Sequence, residues 1–204
     1  MADTLTRPLN RHSPLQDYES RFADLPASTQ ISEEPFLAMV DLWVDPDGPG
    51  GATAAAVLGI AALPTAPSTV VAGPHTTVHW FGPQEWLVTA DEYTDRSGEV
   101  LEAQLRAVVS EHGGAAVDVS AQRTALRLRG AHARDLLAKG SSLDLHPRVF
   151  GPGCAAQTML GLAGVVLIPL DATGTDYRIL VRQSFARYLA EWLIDAAEEF
   201  GVLW

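Results

Sequence analysis

Few residues of this 204-residue sequence stand in a pattern that chemistry would use. His75 and His79 are four apart, the spacing of a helical zinc pair. Thr76-Thr77-Val78 between them favours a strand, on which the rings lie about 13 Å apart. No Glu separates them, so a metal site is not expected. Gly48-Pro49-Gly50-Gly51 outlines a dinucleotide loop, but Thr53 stands where the third glycine belongs. An acid about 20 residues further on is also required, and the region Leu63–Ala72 offers none. A structural turn is expected there. Cys154 follows Gly151-Pro152-Gly153 and opens an apolar run. A catalytic thiol needs an electropositive, partly exposed setting with a base at hand. His146 and Arg148 are close in sequence, yet the apolar run reads Cys154 as a small hydrophobe. There is no Gly-x-Ser-x-Gly elbow, no Walker loop and no carboxylate dyad. Thirteen of the 14 Lys+Arg are arginines, so Lys139 alone could form a Schiff base. No catalytic, cofactor or metal residue emerges.

Charge is the informative exception. Residues 1–114 carry five arginines against sixteen acids, and residues 151–204 three against six. Residues 115–150 run the other way, with Arg123, Arg127, Arg129, Arg134, Lys139 and Arg148 against Asp118, Asp135 and Asp144. On a strand Thr124–Arg129, alternation puts Leu126 and Leu128 on one face and Arg127 and Arg129 on the other. That second face is either an ordinary solvated surface or a docking face. Arg123, Arg127, Arg129 and Arg134 would then receive an acidic partner or the polyglutamate tail of a folate.

The elements that would position these arginines follow from periodicity. Residues 1–34, with Pro8, Pro14 and Pro26 among scattered Leu9, Leu15, Tyr18, Phe22 and Leu25, read as an extended, irregular arm. Residues 35–114 form a first half. It has a strand Phe36–Val44, a breaker at Asp45–Pro49 and a helix Ala52–Ala62. A hairpin, Thr76–Phe81 and Glu85–Thr89, turns at Gly82-Pro83-Gln84, and a helix capped by Ser97 runs to His112. Residues 115–204 form a second half. Strands Ala116–Val119 and Thr124–Arg129 precede a helix His132–Lys139, then come strands Cys154–Leu160, Val165–Leu170 and Tyr177–Arg182. A helix capped by Ser184 closes it, with Phe185, Tyr188, Leu189, Trp192, Leu193, Ala196 and Phe200 as its apolar stripe. Each half reads as strand-helix-strand-strand-helix. The expected class is α+β with duplicated units in one compact domain, unlike the regular alternation of a doubly wound parallel sheet.

Composition bounds the partners. A net charge of -11 argues against sequence-independent nucleic-acid binding, and 47% hydrophobic residues argue against disorder. Gln157, Thr158, Gly161, Gly164 and Pro169 interrupt the longest apolar run, Cys154–Leu170, so no membrane helix is expected. One cysteine excludes an intrachain disulfide framework and fits a cytoplasmic setting.

Three ordered stretches resemble a known family. They are Gly82-Pro83-Gln84-Glu85-Trp86-Leu87-Val88; Val117-Asp118-Val119-Ser120-Ala121-Gln122-Arg123-Thr124 leading to Leu126-Arg127-Leu128-Arg129-Gly130; and Leu136-Leu137-Ala138-Lys139-Gly140-Ser141-Ser142-Leu143-Asp144-Leu145-His146-Pro147. With Val181-Arg182-Gln183-Ser184-Phe185-Ala186 and the last helix, the sequence resembles gamma subunits of heterotetrameric sarcosine oxidases from about residue 13 onward. The resemblance implies a fold similar to the folate-binding domain of the glycine-cleavage aminomethyltransferase. It also implies alpha, beta and delta partner subunits, with alpha the direct contact. It implies a complex that oxidises sarcosine with oxygen to glycine and hydrogen peroxide and forms 5,10-methylenetetrahydrofolate when tetrahydrofolate is present. FAD and covalent FMN, NAD and folate are implied for the other subunits, and none for this chain, whose role would be structural. Folate-dependent iron–sulfur assembly proteins resemble the same fold but carry Lys-Gly-Cys and then Gly-Gln-Glu. Here Lys139-Gly140 is followed by Ser141, so that function is not implied. The other expectation to test is a stand-alone folate binder or aminomethyl carrier.

Overall fold

The computed structural model describes residues 11–90 and 97–201. In chain order the elements are α1 (Glu19–Ala23), β1 (Gln30–Glu34), β2 (Met39–Trp43), α2 (Pro49–Leu58), β3 (Val70–Ala72), β4 (Thr76–Gly82) and β5 (Glu85–Ala90). They continue as α3 (Ser97–Val109), β6 (Ala115–Asp118), β7 (Arg123–Arg129), α4 (Ala133–Ala138), β8 (Ala156–Leu160), β9 (Ala163–Pro169), β10 (Asp176–Arg182) and α5 (Gln183–Ala197). Two antiparallel sheets result. Sheet I has the order β3-β4-β5-β2-β6 and sheet II the order β1-β7-β10-β9-β8.

Local chemistry explains the boundaries. Pro49 sets the first turn of α2, where its missing N–H costs nothing, and Gly59 in the left-handed region (φ 69) closes it. The helix therefore spans Pro49–Leu58 rather than Ala52–Ala62. The glycines before Ala52 are packing residues inside it. A Cβ on Gly51 would lie 2.6 Å from the Pro46 carbonyl oxygen. Helix α5 starts at Gln183 with Arg182 at its cap position and no side-chain cap, so Ser184 is inside the helix and not its cap. The capping side chain expected at Ser97 lies outside the described residues.

A duplication is present as expected from sequence, but each unit has three strands rather than two between its helices, and there is an exchange that sequence did not show. The run β2, α2, β3, β4, β5, α3 recurs as β7, α4, β8, β9, β10, α5, and the strands hold corresponding places in the two sheets. The outermost strand beside β2 is β6, and the one beside β7 is β1. A boundary at 114/115 therefore cuts across sheet I. Likewise, residues 30–34 belong to sheet II. Gly201 lies against Pro26, where an added Cβ would be 3.1 Å from the ring. Thus β1 follows the end of α5 in space as β6 follows the end of α3 in sequence. The two crossovers between sheets, 34–39 and 118–123, run side by side. Val119 N–H donates to the Met39 carbonyl (2.9 Å), and Met39 N–H donates to the Ser120 hydroxyl (3.0 Å).

The irregular arm expected over 1–34 is corrected for its described part. Leu15, Tyr18 and Phe22 are buried, and β1 pairs with β7 from Gln30↔Arg129 to Glu34↔Ala125. Three large side chains, each worth about 2 kcal/mol when removed from water, outweigh the polarity of the segment around them.

Helices cover the outer face of each sheet. Leu101, Leu105 and Val109 of α3 pack with Val40, Leu42, Trp86 and Val88 of sheet I. Ala186, Leu189, Ala190 and Leu193 of α5 pack with Leu126, Leu128, Ile179 and Val181 of sheet II. Phe185, expected in that stripe, is instead exposed (42%). The inner faces meet through Met39 and Leu87 of sheet I and Ala125, Val166, Ile168 and Leu180 of sheet II.

Candidate functional site at the charged margins of the inter-sheet layer

Alternation on β7 puts Thr124, Leu126 and Leu128 toward the helices and Arg123, Ala125, Arg127 and Arg129 toward the other sheet. The face that could have been an ordinary solvated surface is thus the edge of a buried layer. Its partner β10 contributes Arg178 opposite Arg127 and Arg182 opposite Arg123. Two arginine pairs therefore flank the apolar centre formed by Ala125 and Leu180.

The Arg127–Arg178 pair is tied down. Arg127 donates to both oxygens of Asp176 (Nε 2.7 Å, Nη2 2.6 Å) and to Glu34 (3.3 Å). Arg178 donates from Nε to Glu34 at 2.6 Å. Burial pushes the Glu34 carboxyl up, but the hydrogen bonds and charges of Arg178 and Arg127 outweigh it and hold it below its ordinary value. Asp176 is aimed by the preceding turn. Asp171 accepts N–H bonds from Gly174 and Thr175 (3.0 Å each) and hydroxyl bonds from Thr173 and Thr175. Burial alone would raise the Asp171 pKa, and these bonds bring it down to about 2. Arg129 reaches Asp176 only at 3.7 Å and is exposed. Arg134 stands apart on α4, half-exposed, 4.0 Å from Asp135. Of the four arginines expected to act together, Arg127 offers no free fork to a folate tail, and Arg134 is not on their face.

The Arg123–Arg182 pair is held differently. Arg123 lies over the Phe81 ring (5.6 Å) and donates to the Gln122 side chain (2.5 Å). Burial and the charge of Arg182 lower its pKa, while Asp41 and Glu85 across the layer oppose that, and neither makes an ion pair with it among the described residues. Glu85 is itself raised by burial and by Asp41. Arg182 is exposed and has no ion pair among the described residues.

His79 lies on β4 in the same layer, fully buried. Its Nε2 meets the Thr89 hydroxyl at 3.2 Å, and its Nδ1 has no partner among the described residues. Burial, aided by the charge of Arg178, lowers its pKa to about 3, so the ring is neutral. It is sealed from solvent, and His75 is exposed before β4. Among the described residues no group of three His, Cys, Asp or Glu is placed to hold a metal ion. Cys154 is partly buried against the sheet II core, its thiol donating to the Val149 carbonyl at 3.9 Å. Among the described residues, no helix is long and apolar enough to cross a membrane.

Two cavities open beside the crossovers, of about 650 Å³ and about 360 Å³, and both are lined by Phe36. Phe36 takes φ 61, a left-handed conformation that costs a non-glycine residue about 1–3 kcal/mol. Sequence reasoning missed Glu34, Asp176, Arg178 and Arg182. The alternation of Arg178, Leu180 and Arg182 against Tyr177, Ile179 and Val181 was a usable signal for the last two.

Comparison with known proteins places this architecture. The family described as sarcosine oxidase, gamma subunit, matches residues 45–199. The chain is 35% identical over 174 residues to sarcosine oxidase subunit gamma of Corynebacterium sp. (strain U-96), covering 84% of this chain and 80% of that one. It is 34% identical over 194 residues to the subunit of Corynebacterium sp. (strain P-1), covering 94% and 92%. A chain of heterotetrameric sarcosine oxidase from Corynebacterium sp. U-96, solved in complex with pyrrole 2-carboxylate, superposes with TM-score 0.84 at 34% identity, covering 95% of this chain and 98% of that one. Aminomethyltransferase T of the glycine cleavage system from Bartonella henselae shares the fold at TM-score 0.61 and 13% identity, covering 86% of this chain and 48% of that one. A profile over most of the chain, full-length relatives above 30% identity and a matching architecture agree: the chain belongs to the sarcosine oxidase gamma subunit family.

Proposed function

We propose that this chain is a non-catalytic assembly subunit of a cytoplasmic heterotetrameric sarcosine oxidase, docking on the alpha subunit beside beta and delta. The complex would oxidise sarcosine with oxygen to glycine and hydrogen peroxide. It would deliver the one-carbon unit to tetrahydrofolate as 5,10-methylenetetrahydrofolate. FAD, FMN, NAD and folate would be held by the other subunits. One observation carries the structural role. The side chains best suited to bind or transfer, Arg127, Arg178, Glu34 and Asp176, neutralise one another inside the fold, and His79 is sealed away neutral.

The test is co-expression of the other three subunits with and without this chain. The expected result is that omission cuts the recovered complex severalfold, while turnover per bound flavin in what remains is unchanged. Full recovery of the assembly with lost turnover per flavin would overturn the reading and give this chain a catalytic part. Calorimetry of the isolated chain with tetrahydrofolate should give no binding heat. Micromolar binding abolished by Arg129→Ala would revive the folate-carrier alternative.

A further inference from the structure

The Arg123–Arg182 end of sheet II opens into a cleft of about 280 Å³ that both residues line. No carboxylate among the described residues lines it. Its floor is Val166, Leu180 and Gly164, and a Cβ built on Gly164 would meet nothing within 4 Å. Gln157 and Thr158 add polar groups to its wall, and exposed apolar side chains stand on and beside its rim. Phe185 is 42% exposed, Met159, paired with Gly164 across β8 and β9, is 51% exposed, and Leu162 at the hairpin tip is 73% exposed. This rim is held in place, because the Tyr188 hydroxyl accepts the Leu162 N–H (2.9 Å) and its ring meets Phe185 edge-on.

Two adjacent cations repel each other; Asp41 and Glu85 across the layer offset this only in part at Arg123, and the repulsion falls further when an anion enters. An arginine fork favours a carboxylate held in its plane. A surround of Met, Leu and Phe is the composition of an interface core, where such a pair becomes strong once water is excluded. A free small carboxylate would gain nothing from that collar. We propose that Arg123 and Arg182 receive a carboxylate from an acidic segment of a partner subunit, whose neighbouring apolar side chains cover Met159, Leu162 and Phe185.

This proposal rests on the assembly role above, and its test separates the two. Arg182→Glu reverses the charge. Gly164→Leu fills the cleft at an unstrained, open strand position while leaving both arginines in place. Each variant is co-expressed with the other subunits and compared with Arg106→Glu, the same charge change on distant α3. Arg182→Glu should weaken retention of this chain in the complex by about thirtyfold. Gly164→Leu should weaken it by about tenfold or more, and Arg106→Glu should leave it unchanged. Phenylglyoxal should modify Arg182 in the isolated chain and not in the complex. Wild-type retention of both cleft variants, or equal modification of Arg182 in both states, would overturn the proposal while leaving the assembly role standing. If the wild-type chain does not join the other subunits, both fall.

Discussion

The two arginine pairs of sheet II make a controlled comparison. They lie on the same two strands and the same face, on either side of Ala125 and Leu180, yet one is tied and the other is not. Arg127 and Arg178 meet Glu34 and Asp176 because β1 ends at Glu34 and the turn at Asp171 aims Asp176 inward. Strand β1 does not reach Arg123, and the Arg182 end of β10 runs into a helix rather than a carboxylate-bearing turn. Residue type and register are equal at the two ends. What the neighbouring strand brings decides whether an arginine stabilises the fold or remains available to a partner.

The largest way to break this contrast is to strip the tied end. Arg127→Ala removes charged hydrogen bonds to two carboxylates and leaves both partly buried. It should cost about 2–3 kcal/mol in urea unfolding, and Glu34→Gln somewhat less. A change below about 0.5 kcal/mol would make the two ends energetically alike. Glu34 adds a pH signature. Its folded value lies below the unfolded one, so its contribution is complete above the unfolded carboxylate range and drains away as pH falls through the folded value.

His79 provides a second measure, because Arg178 helps hold its ring neutral. The unfolded chain takes up this proton near pH 6.5 and the folded chain only near 3. Stability should therefore fall by about 1.4 kcal/mol per pH unit as pH drops through that window. His79→Leu should flatten the slope by one proton, and an unchanged slope would mean that the imidazole titrates freely in the fold. The smallest effect belongs to the open end. Arg182→Ala should change the stability of the isolated chain by less than about 0.5 kcal/mol, since Arg182 makes no ion pair among the described residues. A loss comparable to that of Arg127→Ala would show that Arg182 is structural too.

Much of the fold was legible because its signals are local. Gly82-Pro83-Gln84 joins β4 and β5, and the α3 stripe at Leu101, Leu105 and Val109 is helical in period. For α2 the helix was legible but not its bounds, since in sequence Pro49 reads as part of a breaker and Gly59 as helix interior. Strand β1 was not legible. In Gln30-Ile31-Ser32-Glu33-Glu34 only Ile31 is apolar, and the strand exists because β7 offers it a pairing edge. Strand β3 is three residues long and leaves little pattern. The spacing of Leu15, Tyr18 and Phe22 was already that of a buried helical face, masked by the prolines around it. Alternation put Arg127 and Arg129 on a common face correctly. It could not show that a second sheet covers that face, because only Ala125, two residues before Arg127 on that face, hints at burial. The tied end was thus invisible from β7 alone, since its carboxylates lie 93 residues before Arg127, at Glu34, and 49 after it, at Asp176.

The exchanged edge strands also set a timetable. On a growing chain sheet I is built entirely from residues 39–118, and β6 completes it as soon as α3 has been made. Strand β1 is made before any of sheet I, yet its first partner, Arg129, is translated 99 residues after Gln30. Until β7 emerges, Ile31 and the apolar face of Leu15, Tyr18 and Phe22 have no sheet to cover. Sheet II is therefore the late, long-range step of folding, and the charged face that β1 closes is completed with it.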